Sequence, residues 1–333
     1  MKKLLALALA ATMALSLAAC GGAKEEPAAP SEPATEAPAA ETYKVGICQL
    51  APHPALDAAT QGFIDALNEA LPGQVEFDNQ NAAGESATCA TIVNGFVSAD
   101  VDLIMANATP ALQAAVAATS DIPVLGTSVT EYGVALGIDN FSGTVGTNVS
   151  GTSDLAPLDE QAAMVKEWFP EAKTVGLLYC SAEANSQYQV DTVQAELEKL
   201  GLTCTQYPFS DTNDMASVTQ SAVDNSDVLY VPTDNTCANN TGIIDNIARP
   251  AGVPVICGEE GICGGCGVAT LSISYYDLGV ATGKMAAKVL TGEADIASMP
   301  IEYAPQFTKK FNETICTDLG LTVPEGYEAI TAG

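Results

Sequence analysis

The chain has 333 residues, 47% of them hydrophobic, with 12 lysines and arginines against 41 aspartates and glutamates, a formal net charge of −29. That length allows two ordinary domains around a substantial core. So acidic a surface repels nucleic acid and anionic headgroups, which sets nucleic-acid binding aside.

The first segment, "MKKLLALALAATMALSLAAC", has two lysines, an apolar stretch and small residues before a cysteine. It reads as a secretory signal over residues 1–19, too short and wrongly flanked for a stable membrane span. The "LAAC" junction resembles the lipobox of bacterial lipoproteins, which implies that Cys20 is lipid-modified and becomes the first residue after cleavage. Residues 20–42 continue as "CGGAKEEPAAPSEPATEAPAAET", a Pro, Ala and Glu tract that cannot bury a core and reads as a flexible tether.

Beyond the tether one pattern occurs twice. Val45-Gly46-Ile47 answers Val175-Gly176-Leu177, Asp102-Leu103-Ile104 answers Asp227-Val228-Leu229, and Ile122-Pro123-Val124 answers Val253-Pro254-Val255, at separations of 125 to 131 residues. Each copy alternates short β-branched apolar runs with longer helical patterns, the signature of βαβ units and a parallel sheet. The strands "VGICQL", "DLIMAN", "VGLLYC" and "DVLYVP" are nearly all apolar, as helix-covered parallel strands are. In "PALDAATQGFIDALNEAL", Leu56, Ala59, Phe63 and Leu67 form one helical stripe; in "DLGVATGKMAAKVL", Leu278, Ala281, Met285 and Val289 predict another. The segment after the second copy is expected to be shared between two lobes, with crossings near Asp154, Tyr276 and Pro305. The lobes are assigned as 43–154 plus 277–304, and 155–276 plus 305–333.

In open α/β sheets, ligands bind beyond the carboxyl ends of the strands, where helix N-termini offer unpaired N–H groups. The repeat places there "QLAPHP", "QNAAGES", "NATP" and "GTSVT" in the first copy, and "CSAEANS", "SDTND", "PTDNT" and "GEEG" in the second. The first set is rich in neutral donors (Asn107, Thr109, Thr127, Ser128, Thr130) and the second in carboxylates (Glu183, Asp234, Glu259, Glu260). No lysine or arginine falls in any of the eight loops, so a phosphate or dicarboxylate would lack its usual clamp. A zwitterion fits; each acid taken alone reads first as a helix cap or solvated charge, and it is the group that points to a ligand.

His53, the chain's single histidine, lies between Pro52 and Pro54 in the first of these loops. Catalysis would require a nucleophile and an orienting carboxylate in a recognisable context, and no G-x-S-x-G, P-loop or H-E-x-x-H sequence is present. Contact with a ligand or the cleft wall ranks first, a structural loop cap second. Nine cysteines remain after Cys20, and no disulfide framework can be assigned. For Cys257, Cys263 and Cys266 a loop disulfide or free thiols rank above a metal, because no second C-x-x-C or spare histidine completes a four-ligand set.

Together "HPALDAATQGFIDAL", "GTSVT", "NVSGTSD", "VGLLYCSAEANS", "YVPTDNT", "PVICGEEG" and "ISYYDLGVATGKMAAKVL" resemble the ABC-transporter substrate-binding lipoproteins whose studied members bind tryptophan or tyrosine. The resemblance implies a type I periplasmic-binding-protein fold: two Rossmann-like, doubly wound α/β lobes joined by a three-strand hinge. It also implies a non-enzymatic receptor, lipid-anchored at Cys20 outside the bacterial membrane, that captures a small zwitterionic solute, an aromatic amino acid above all, for an ABC permease and ATPase. Neither cofactor nor metal is implied. Carried over by position, the ligand-facing residues are His53, Asn107, Thr109, Thr127, Ser128, Ser181, Glu183, Asn185, Asp234, Asn235, Glu259 and Tyr275. The alternatives are a sugar-binding or sensory receptor of the same fold and, below them, an extracellular enzyme. Cys263 and Cys266 depart from the family pattern.

Overall fold

A computed structural model describes residues 42–330. The signal, Cys20 and nearly all of the tether therefore lie outside the described residues. The first sheet is built from β1 (Tyr43–Gln49), β2 (Val75–Asn81), β3 (Leu103–Asn107), β4 (Val124–Val129) and β5 (Val149–Ser153). Between them run α1 (Pro54–Ala70), α2 (Ser86–Ser98), α3 (Thr109–Ala118) and the short α4 (Tyr132–Leu136). The second sheet repeats the plan with β6 (Thr174–Cys180), β7 (Thr203–Phe209), β8 (Val228–Val231), β9 (Val255–Cys257) and β10 (Ala269–Ser272). Its helices are α5 (Leu158–Trp168), α6 (Ala184–Lys199), α7 (Thr212–Asn225), α8 (Asn235–Asn239), α9 (Thr241–Ala251) and α10 (Glu260–Cys266). The remaining elements are α11 (Tyr275–Leu290), β11 (Glu302–Tyr303), β12 (Thr308–Phe311), α12 (Glu313–Asp318) and β13 (Glu328–Ala329).

The strand orders are β2-β1-β3-β4-β5-β11 and β7-β6-β8-β9-β10-β12-β13. Their first five members follow one pattern, so the sequence repeat is a repeat of topology. The strands within each set of five pair in parallel, β11 joins β5 in parallel, and the one antiparallel pairing among the described residues is β12 with β10, β13 running alongside β12. β3 is fully buried and β6 nearly so, because helices cover both faces. The edge strands β2 and β7 alternate with solvent instead. The chain passes from one sheet to the other within 154–157, within 273–274 and within 304–307.

After the second passage α11 returns to pack on α1. The α1 face is the one periodicity predicts: Leu56, Ala59, Phe63 and Leu67 are buried. On α11 the expected stripe shifts. Leu278 and Met285 are buried, but the rest of the covered face is Gly279, Thr282, Gly283 and Ala286, whereas Ala281 and Val289 are only half-buried. The cause is close backbone approach, which hydrophobicity does not report. A Cβ on Gly279 would lie 2.0 Å from the Ala59 carbonyl oxygen, and one on Gly62 would lie 2.1 Å from that of Tyr276. Gly279→Ala is therefore expected to lower stability in urea unfolding by about 1–3 kcal/mol through overpacking, despite alanine's better helix propensity. An unchanged midpoint would mean that the helices are not in backbone contact there.

All nine cysteines of the described residues are free thiols. Cys263 and Cys266, expected in a loop, lie in α10 with Cys257 at the end of β9, and all three are buried. Gly267 leaves them room, since a Cβ there would fall 2.2 Å from the Cys257 sulfur.

Candidate functional site

The carboxyl ends of both sheets face one another, and the eight loops of the repeat line two adjoining spaces. The inner one is enclosed by His53, Ala55 and Leu56 at the start of α1, Ser128 and Thr130 after β4, and Asn185, Thr233, Asp234, Asn235, Ala238 and Glu259 from the second lobe. Asp154 and Tyr275, beside the first two crossings, complete it. It holds about 280 Å³ of space not filled by atoms, part of it open to solvent. The outer space, about 1210 Å³, is bounded by the remaining loops, among them Gly84–Ala87, Pro110, Cys180, Ser210–Thr212 and Asn239. Neither contains a lysine or arginine.

Most polar atoms here already have partners. Glu183 accepts from the Asn235 backbone N–H (3.0 Å), Asn235 Nδ2 (2.6 Å), Asn185 Nδ2 (3.2 Å), the Thr236 backbone N–H (2.9 Å) and Thr236 Oγ1 (2.8 Å). It ties α6 to the N-terminus of α8. Asp234 accepts from the backbone N–H groups of Cys180 (2.7 Å) and Cys237 (2.8 Å), and Glu259 caps α10 through the N–H groups of Gly261 and Ile262. The solitary acids are thus helix caps, as carboxylates at N-termini commonly are.

Four atoms stand apart. His53 Nδ1, Ser128 Oγ, Asp154 Oδ1 and Asn185 Oδ1 are buried without a hydrogen-bond partner, and all four residues line the inner pocket. Buried polar groups are rarely left unpaired, so their convergence marks a place for a ligand. Asp154 Oδ2 accepts from the Tyr275 hydroxyl at 3.0 Å, which leaves Oδ1 buried without a partner. Ser128 carries backbone strain, with φ +53° at a non-glycine residue, where the register between β4 and β5 slips. Such irregularities re-aim side chains beside functional sites.

Of the twelve residues expected from sequence, His53, Ser128, Asn185, Asp234, Asn235, Glu259 and Tyr275 line the inner pocket, and Glu183 lines the outer space. Asn107, Thr109 and Thr127 lie behind the lining. Asn107 Nδ2 donates to the Leu56 carbonyl and to Thr60 Oγ1, and Thr127 Oγ1 shares a hydrogen bond with Thr152 Oγ1. Ser181 is exposed, donates to the Phe209 carbonyl and lines neither space. Sequence reasoning passed over Asp154 and Thr233, and it saw Thr130 only as one loop donor among several. For Asp154 the available signal was its position at the first crossing.

Electrostatically the pocket is a place for positive charge. Burial pushes Asp154 up to about 6 against the pull of the Tyr275 and Thr130 hydroxyls, and burial likewise pushes Asp234 and Glu259 up to about 7. His53 is held below its ordinary value, again by burial, which outweighs the Asn235 hydrogen bond and the nearby Glu183 charge. Three desolvated carboxylates and a neutral imidazole surround a pocket that offers no cation of its own.

The pattern of a solute-binding protein, with two like lobes and a polar pocket between their strand ends, agrees with the comparisons. Residues 44–331 match the family of ABC transporter substrate binding proteins, and the chain belongs to that family, whose members bind solutes and are not enzymes. It is 34% identical to a tyrosine-binding protein of Clostridioides difficile (strain R20291) over 303 residues, 90% of this chain and 87% of that one. It superposes with TM-score 0.82 on an ABC domain from Streptococcus pneumonia in complex with L-Trp, at 33% identity, over 87% of this chain and all of the other. With the ligand-free, open structure of a substrate binding protein with adhesive properties from Clostridium difficile, the TM-score is 0.67 at 37% identity, over 88% of this chain and all of the other. The family's members are extracytoplasmic, and among the described residues no helix is long and apolar enough to cross a membrane.

Proposed function

We propose that the protein is the lipid-anchored, extracytoplasmic receptor of an ABC importer, capturing an amino acid, an aromatic one by its relatives, between lobes formed by residues 43–154 with 277–304 and 155–276 with 305–333. The carrying observation is the set of unpartnered atoms in the pocket: Asp154 Oδ1 and Asn185 Oδ1 accept from the solute's ammonium, and Ser128 supplies a hydroxyl. A solute touched by both lobes and the crossings favours the closed state, because its contacts are complete only there. The superpositions support closure as the motion: agreement is better with the L-Trp complex than with the ligand-free open structure, although the latter is nearer in sequence. The signal, Cys20 and the tether support the anchor, and the family supports the permease and ATPase as partners.

The test is a thermal-shift and calorimetric screen of amino acids and sugars on protein extracted from membranes, with the N-terminal peptide examined by mass spectrometry. Aromatic amino acids are expected to raise Tm with one site per chain, since a ligand at 100 times its Kd adds about 2.7 kcal/mol. The N-terminal peptide is expected to carry lipid on Cys20. Stabilisation by sugars alone would overturn the solute, and an unmodified Cys20 would overturn the anchor.

A further inference from the structure

Glu183 lines the outer space rather than the inner pocket, yet it decides how the inner pocket is read. Its carboxylate accepts five hydrogen bonds and can donate none, so the Asn235 amide group 2.6 Å away must present Nδ2 to it. The Asn235 Oδ1 is thereby turned toward His53 Nε2, 3.3 Å away across the cleft. An amide oxygen only accepts, so the His53 proton resides on Nε2. Burial keeps the ring neutral. Nδ1 is then a bare lone pair, buried and without a partner in the protein.

The position of that lone pair matters as well. Asn235 lines both the inner pocket and the outer space, whereas Asp154 and Tyr275 line only the inner pocket, beside the crossings. The His53–Asn235 contact therefore lies where the two spaces adjoin.

We propose that Glu183 and Asn235 are positioning residues that lock His53 as the Nε2–H tautomer, so that its Nδ1, the acceptor left over once Asp154 and Asn185 hold the ammonium, takes a hydrogen bond from an N–H or O–H of the solute's side chain. Resting on the amino-acid reading above, this names the preferred side chain: a ring bearing a donor, phenol or indole, over the same ring without one. A site built to accept such a bond discriminates strongly, because the analogue leaves the buried acceptor unpaired.

Having a single histidine makes the tautomer directly measurable. Nitrogen-15 NMR of the unliganded mature protein, free of any histidine tag, should show His53 neutral and protonated on Nε2 at pH 7; an Nδ1–H tautomer or an imidazolium overturns the proposal. Calorimetry should then find tyrosine bound roughly 10- to 100-fold more tightly than phenylalanine, and tryptophan over 1-methyltryptophan by a similar factor. Equal affinities within each pair overturn the donor requirement. Glu183→Gln, which leaves one acceptor oxygen in place of two for five donors and so loosens the hold on Asn235, should narrow the tyrosine-to-phenylalanine ratio and let the Nδ1–H tautomer appear in the nitrogen-15 spectrum; full discrimination with the Nε2–H tautomer retained in a folded variant overturns the relay. If no aromatic amino acid binds, the solute assignment fails, while the tautomer of the unliganded protein still decides the relay.

Discussion

Asp154→Asn is expected to weaken solute binding by two to three orders of magnitude while leaving the unliganded protein at least as stable as before. Asp154 is fully buried, with one oxygen engaged by Tyr275 and the other by nothing, and no protein cation lines its pocket. A bound ammonium supplies the missing charge and hydrogen bond, and removing one partner of a buried ion pair costs about 3–5 kcal/mol. Asparagine keeps an acceptor for the Tyr275 hydroxyl, so the unliganded fold loses little and is relieved of a lone buried charge. Calorimetry gives the affinity and denaturant titration the stability, and the two should move in opposite directions. An unchanged affinity, or a parallel loss of affinity and stability, would remove Asp154 from the binding role.

The second large effect is on pH. Because burial raises the folded-state value of Asp154 from 3.8 to about 6, the native state binds its proton more tightly than the unfolded state does. The associated stability is complete below about pH 4 and is lost as pH rises through 6. A shift of that size corresponds to roughly 3 kcal/mol. Asp234 and Glu259, raised to about 7, act in the same direction, whereas His53, held neutral by burial, loses stability as pH falls. Subtracting the Asp154→Asn profile from that of the wild type isolates Asp154: between pH 4 and 7.5 the difference should move by roughly 3 kcal/mol in favour of the variant. Solute affinity should rise over the same interval, with proton release visible when binding heats are compared in buffers of different ionisation enthalpy. Affinity flat from pH 5 to 8 would mean that Asp154 is already ionised in the empty pocket.

Much of the architecture was legible without coordinates because its signals are local. "VGICQL" and "VGLLYC" are apolar throughout since each strand is covered on both faces, and their recurrence is enough to give two lobes of one topology. The rule that ligands sit beyond strand carboxyl ends then names the loops, and with them His53, Ser128, Asn185 and Asn235, all of which line the inner pocket. Composition alone excluded a basic clamp, since no arrangement of these loops could supply one.

What the folded molecule alone decided is which of those polar groups are spent and which are spare. Glu183 and Asp234 read as ligands in the sequence, but they fill their oxygens with the backbone N–H groups of α8 and neighbouring strands. Asp154, marked in the sequence only as a crossing, becomes the lone carboxylate because the chain changes lobes there and the fold buries it. The glycine face of α11 has the same origin, since it answers to a helix some 220 residues earlier in the chain. Periodicity follows from bonding between near neighbours and is written along the chain. Desolvation and hydrogen-bond satisfaction depend on distant segments meeting, so they come into being only when the two lobes are assembled.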